Sequence, residues 1–243
     1  MRNQSEDKIM LTFIRHGETQ ANKERRYLGK TDEPLTESGR NTLLAYRENC
    51  VYPPVKYLFT SPMIRCVETA HILYPELQPM IIPEWTELDF GRFEYKNYEE
   101  LKDDETYQEW VDSGGALGFP EGESLSHFSS RCEKGFFRMC DALRGMLEKD
   151  ADGTGILVGR KLDERILAGR DLEEQTSVGL IVHGGVIMAL LSAHNGNDYF
   201  TYQVSNGKGY VCSMAGDDYR NIPWQDGALL SPESVKIRII REL

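Results

Sequence analysis

The sequence predicts an α/β protein with a mainly parallel central sheet, and three observations carry that prediction. Short apolar runs of strand length alternate with helix-like stretches along the chain. Two of the runs, residues 9–14 and 178–182, read as buried strands, and residues 56–60 read as a third. No repeat, low-complexity tract or Pro/Ser-rich linker divides the 243 residues, which are therefore read as one domain. A chain of that length buries roughly 70–75% of the surface that its unfolded form exposes, enough for a conventional core.

Taken in order, residues 9–14 form a strand stopped by Arg15-His16-Gly17. A helix over 36–50 follows Pro34-Leu35, with Thr36 as its N-cap. After the strand at 56–60, Ser61 and Pro62 open a helix to about Leu73, serine as cap and proline in the first helical position. Leu125, Phe128, Cys132, Phe136, Met139, Leu143 and Leu147 recur at steps of three and four, so residues 124–147 form a long amphipathic helix. Gly184-Gly185 leads from the strand at 178–182 into a helix near 186–192. Val235, Ile237 and Ile239 alternate with Lys236 and Arg238, as in a half-exposed edge strand. Residues 92–123 are rich in aromatics and acids without a clean period and read as a cap or insertion over the site. Residues 150–177 read as a surface excursion or, equally, a disordered linker.

Composition narrows the function. Against 28 basic residues stand 39 acidic ones, a net charge of −11, which opposes nucleic-acid binding but leaves room for a small anion held by a local arginine cluster. Five cysteines without CxxC or CxxH spacing suit reduced thiols better than zinc or a disulfide framework. The first residues lack the apolar stretch of a signal peptide, and the apolar run at 179–193 is too short to span a bilayer. A cytoplasmic protein with no membrane partner is expected.

Chemistry concentrates where strands end. Ligands in open α/β sheets bind outside the carboxyl ends of strands. There the sequence places His16, flanked by Arg15 and Gly17, and His183, followed by Gly184 and Gly185. Either histidine alone would more often be structural; two in the same setting can share one crevice. Arg65 lies in the first turn of a helix, where free backbone N–H groups already favour an anion. Arg15, Arg65, His16 and His183 together suit a phosphoryl group. His71, His127 and His194 lack such a setting; His71 and His127 fall on helices and read as partly exposed.

These motifs resemble the histidine phosphatase (phosphoglycerate mutase-like) superfamily. The resemblance begins with Phe13-Ile14-Arg15-His16-Gly17-Glu18-Thr19 and Asn22, and continues through Arg26-Tyr27-Leu28-Gly29, Asp32 and Pro34-Leu35-Thr36. It resumes over residues 60–70 around Arg65, at Glu87-Leu88-Asp89-Phe90-Gly91, at Gly122-Glu123-Ser124 and at Val182-His183-Gly184-Gly185-Val186. One Arg-His-Gly is weak evidence, but five ordered motifs over about residues 9–195 are strong. The resemblance implies a sheet with helices on both faces, and a His16 that takes the phosphoryl group to form a phosphohistidine. It implies Arg15, Arg65 and His183 around the phosphoryl oxygens and Asn22 at a phosphate contact, with Thr19 and Gly184 as further substrate-binding positions. Glu87 becomes the acid that protonates the leaving oxygen and later activates water. No metal and no cofactor is implied. Glu18 reads as a loop-ordering residue. The sequence departs from the family pattern at Leu28, where glutamine is common, at Cys66, where alanine is usual, and at Tyr95, where glycine is common.

The leading expectation is thus a phosphomonoester hydrolase whose partner is a small phosphorylated metabolite. A cofactor-dependent phosphoglycerate mutase is the first alternative, although Glu-Leu-Asp-Phe-Gly at 87–91 differs from the mutase-like Glu-Arg-His-Tyr-Gly. A phosphate-binding scaffold without turnover is the second.

Overall fold

A computed structural model describes residues 8–114, 117–151, 176–215 and 235–243. In chain order these form β1 (Lys8–Arg15), α1 (Gln20–Lys23), α2 (Glu37–Glu48), β2 (Tyr57–Thr60), α3 (Ile64–Leu73), β3 (Met80–Ile81), α4 (Tyr98–Leu101) and α5 (Glu105–Asp112). The long α6 (Leu125–Ala151), β4 (Thr176–Val182), α7 (Gly184–Asn195), β5 (Gly209–Ala215) and β6 (Ile237–Glu242) complete them. The surface excursion expected at 150–177 falls, for residues 152–175, outside the described residues.

The six strands lie in one sheet in the order β3-β2-β4-β1-β5-β6. β1, β2, β3 and β4 run parallel, with Arg15 opposite Val182 and Thr60 opposite Ile181. β5 runs antiparallel to β1 and to the edge strand β6. Side chains alternate across a strand, and here the alternation feeds two cores. Phe13 and Leu180 pack with Phe128, Phe136 and Leu190 from α6 and α7, whereas Ile14 and Ile181 pack with Leu43, Cys66 and Ala70 from α2 and α3. Helices therefore cover both faces of the sheet. The mainly parallel α/β reading holds, and the apolar runs lack polar alternation because neither face of the central strands meets water.

Local rules succeeded where nothing longer-ranged competed. Thr36 caps α2, its hydroxyl accepting from Gly39 N at 2.9 Å. Ser61 behaves differently from the expected cap. α3 begins at Ile64 behind Met63, which makes no side-chain cap hydrogen bond, because the Ser61 hydroxyl sits 2.7 Å from His183 Nε2. α7 likewise starts at Gly184, earlier than expected, with His183 as its N-cap residue.

Residues 92–123 lack a period because they contain two short helices, capped by Asn97 and Asp104, rather than one long element. Their aromatics form a satellite core in which Phe93, Leu101 and Tyr107 pack against Tyr27, Phe90, Trp110 and Phe119. Tyr95, which departs from the family pattern, adopts φ +60°, the left-handed region that glycine enters freely. The strain is held in place by Tyr95 N donating to Tyr27 O at 2.8 Å and by the hydroxyl donating to Glu33 at 2.9 Å. The Arg26 guanidinium lies over the ring at 5.4 Å.

Candidate active site

The carboxyl ends of β1 and β4 set the site. Pairing of these strands brings His16 and His183 together with ring centroids 5.2 Å apart, and His16 N donates to Val182 O at 2.9 Å. His16 Nδ1 lies 2.7 Å from Gly17 O. A carbonyl can only accept, so Nδ1 carries the proton and the lone pair sits on Nε2. Burial, reinforced by the neighbouring Arg65 and Arg15, pushes the His16 pKa well below 6.5. Burial first, and then Arg65, His16 and Arg15, depress His183 in the same way. The depressed pKa values favour the neutral form of both rings, the form in which an imidazole nitrogen can act as a nucleophile.

Two arginines flank the histidines. Arg65 is fully buried in the first turn of α3, and its Nη atoms donate to Thr31 O and Gly29 O at 2.8 and 2.9 Å. Arg15 Nη1 donates to Val204 O at 2.8 Å. The Nε of each guanidinium is buried without a hydrogen-bond partner. An unmet buried donor costs about 1–3 kcal/mol, more when charged, so two near His16 make an arrangement suited to an anion. Gly184 lies against Arg15: a Cβ there would come 3.4 Å from Nε.

Glu87 closes the other side. Its Oε1 accepts from Leu88 N at 2.9 Å and its Oε2 from Gly185 N at 3.2 Å. Burial raises its pKa above the ordinary carboxylate range, while the two amides, Arg65 and Arg15 pull it back. Gly185 is required here, since any Cβ would overlap Oε1. Beside Glu87 opens a pocket of about 310 Å³ lined by Lys30, Thr86, Asp89, Gly122, Glu123, His127 and Arg131.

The remaining sequence candidates hold the nucleophile loop. Thr19 is buried as the N-cap of α1, its hydroxyl accepting from Asn22 N. Asn22 Oδ1 accepts from Thr19 N at 3.2 Å and from Asn206 Nδ2 at 2.9 Å. Both partners are donors, which turns the Asn22 amide so that its own NH₂ stays available to a ligand. Asn206, absent from the sequence reading, also donates to His16 O and Gly17 O at 3.1 and 3.3 Å. Its signal was the Asn206-Gly207 turn before β5, with Gly207 at φ +71°. Ser61 was visible only as a cap. Cys66 Sγ lies 3.6 Å from His183 Nε2, its thiol pushed up to about 12 by burial. Glu18 Oε1 accepts from Thr36 and Ser38, holding the loop to the start of α2. His71 and His127 are exposed, and His194 Nδ1 donates to Val235 O. Among the described residues, no group of three or more His, Cys, Asp and Glu could hold a metal ion.

The model of the histidine phosphatase superfamily, branch 1, matches residues 11–147, more than half of the chain. The chain belongs to that superfamily. Relatives of this chain include a protein named probable phosphoglycerate mutase GpmB from Cronobacter sakazakii, 32% identical over 127 residues. That match covers 51% of this chain and 59% of the relative. The GpmB of Enterobacter sp. strain 638 is 29% identical over 68% of this chain and 80% of its own length. Among solved structures, phosphoglycerate mutase from Thermus thermophilus is 26% identical with a TM-score of 0.56, covering 97% of this chain and 98% of that one. The α-ribazole phosphatase of Shigella flexneri shares the fold at TM-score 0.65 and 20% identity over 96% of each chain.

Neutral buried histidines leave a signature in stability. Unfolded His16 takes up a proton near pH 6.5, whereas the folded ring does not, so its contribution to stability is lost as pH falls below 6.5. Glu87, raised in the fold, contributes with the opposite sign, and a comparison of variants cancels it. Between about pH 6.5 and 5.5, wild type should lose stability more steeply than His16→Asn, by up to ~1.4 kcal/mol per pH unit. Urea midpoints at three pH values measure this; parallel slopes would mean that folded His16 takes up its proton as the unfolded chain does.

Proposed function

We propose that the protein is a phosphomonoester hydrolase acting on a small phosphorylated metabolite through a phosphohistidine on His16. The observation that carries this is the pairing of a neutral His16, its Nε2 lone pair free, with two buried arginine Nε–H groups that lack protein partners. His16 Nε2 attacks phosphorus, forming the N–P bond as the P–O bond to the leaving group breaks. Glu87 delivers its proton to that oxygen. Water then attacks the phosphohistidine, Glu87 recovers the proton, and inorganic phosphate leaves with His16 restored. Arg15, Arg65, His183 and Asn22 hold the phosphoryl oxygens through transfer, with Thr19 shaping the loop and Gly184 keeping the Arg15 face open. A bound dianion raises the Glu87 pKa further, loading the acid when substrate is present. The pocket beside Glu87 takes the leaving group.

A mutase that returns the phosphoryl group to its substrate uses the same residues, and the names of the GpmB relatives favour it. The acid motif Glu87-Leu88-Asp89-Phe90-Gly91 favours hydrolysis. A panel of metabolite phosphates assayed for released phosphate without added metal, beside 3-phosphoglycerate isomerisation, separates the two. Net charge −11 and five unpaired cysteines, four of them buried, support a cytoplasmic enzyme without a nucleic-acid or membrane partner.

Arg65→Lys tests the anion site. Lysine keeps the charge but cannot reach Gly29 O and Thr31 O while presenting a third donor to phosphate. The expected loss in kcat/KM is roughly 10²-fold, that of one preorganised oxyanion donor. Wild-type kinetics would move the anion site away from Arg65.

A further inference from the structure

The segment that carries Glu87 contains a 3₁₀ turn at Pro83–Trp85 and little regular structure of its own, yet the acid has to be held to within an ångström. Its rigidity is supplied by one face of α6. Arg131, Gly135 and Arg138 stand four and three residues apart and so share that face. Arg131 Nη1 donates to Glu84 O at 2.6 Å, to Thr86 O at 3.0 Å and to the Thr86 hydroxyl at 2.8 Å. Its Nη2 reaches the carbonyl of Glu87 itself at 3.4 Å. The guanidinium is fixed in turn by a two-point bond to Glu123, from Nε at 3.0 Å and from Nη2 at 2.7 Å. The buried Trp85 lies over Gly135, where a Cβ would come within 2.6 Å of its Nε1, and that nitrogen donates to Cys132 O at 3.2 Å. Arg138 pairs with Glu84 at 2.6 Å.

Resting on the hydrolase reading, we propose that Arg131, held by Glu123, is the positioning residue of the general acid: it fixes the backbone of residues 84–87 so that the Glu87 carboxyl meets the leaving oxygen. Three carbonyls and a carboxylate converging on one guanidinium demand its planar fork of donors; the single ammonium of lysine cannot replace it.

The test is Arg131→Lys assayed on an alkyl phosphate and on p-nitrophenyl phosphate. A displaced acid hurts the poor leaving group most, so kcat/KM should fall by about 10²-fold on the alkyl ester, the scale of a 1 Å misplacement, and clearly less on the nitrophenyl ester. Glu123→Gln frees the same guanidinium more gently; it should shift the ratio in the same direction and keeps the test intact if Arg131→Lys fails to fold. In a Glu87→Gln background, Arg131→Lys should add little to the alkyl-ester loss, because both changes remove one function. Equal losses with the two leaving groups, or additive losses in the double variant, would make Arg131 a merely structural residue and overturn the inference. A wild-type protein that turns over neither ester overturns the hydrolase reading first, an outcome distinct from a failure at Arg131 alone.

Discussion

His16→Ala is expected to abolish turnover on every phosphoester while the protein stays folded. The side chain belongs to neither apolar core, and Arg65 and Arg15 are its electrostatic neighbours, so its loss should remove chemistry and leave the packing of β1 largely unchanged. Losing a covalent nucleophile costs on the order of 10⁶-fold in kcat where it has been measured alone. In wild type, quenching with alkaline detergent during turnover should trap phosphate in a base-stable linkage on His16 that acid then releases. Near-normal turnover in the folded variant, or a substrate consumed by wild type without such a linkage, would remove the covalent mechanism.

Glu87→Gln has an effect that depends on what leaves. An alkoxide is a poor leaving group and needs a proton as the P–O bond breaks; nitrophenolate is stable as an anion and needs little help. The variant should lose roughly 10²–10⁴-fold in kcat/KM on alkyl phosphates, the range of general acid catalysis, and clearly less on p-nitrophenyl phosphate. In kcat both substrates should suffer, because Glu87 is also proposed to activate the hydrolytic water. Glutamine has one acceptor oxygen where the carboxylate uses two, toward Leu88 N and Gly185 N, so a thermal midpoint accompanies the kinetics. Equal losses on the two esters would assign the acid role elsewhere, with Glu18 the next carboxylate to examine.

The sheet was legible because its central strands are buried on both faces, and burial writes an apolar run that needs no alignment to read. β3 was not, since two residues, Met80 and Ile81, with exposed side chains leave no pattern, and neither was β5 (Gly209–Ala215). The strain at Tyr95 was legible as a departure from glycine, yet its cause needed the φ angle. Within the site, His16, His183 and Arg65 announce themselves through position at strand ends and in a first helical turn. Glu87 came only from the resemblance, since residues 83–93 follow no period. Ser61 and Asn206 escaped for one reason: the partner that defines each lies far away in sequence, His183 for the first and the His16 loop for the second. A local rule assigned Ser61 to the nearest helix, and the longer-ranged bond won.

Among the described strands, β1, which leads into His16, comes earliest in the sequence and its sheet neighbours come late. Both neighbours of β1 in the sheet, β4 and β5, come from residues 176 onward, and the nucleophile loop is tied to Val182, Val204, Asn206 and Lys208. At a synthesis rate of about 5–20 residues per second, β1 waits roughly 10–30 s on the ribosome with both of its hydrogen-bonding edges open. An apolar strand in that state is a template for pairing with other chains, so the aggregation hazard of the nascent chain lies in the residues that lead into His16. Pairing with β4 and β5 covers both edges of β1 and, in the same step, brings His183 beside His16.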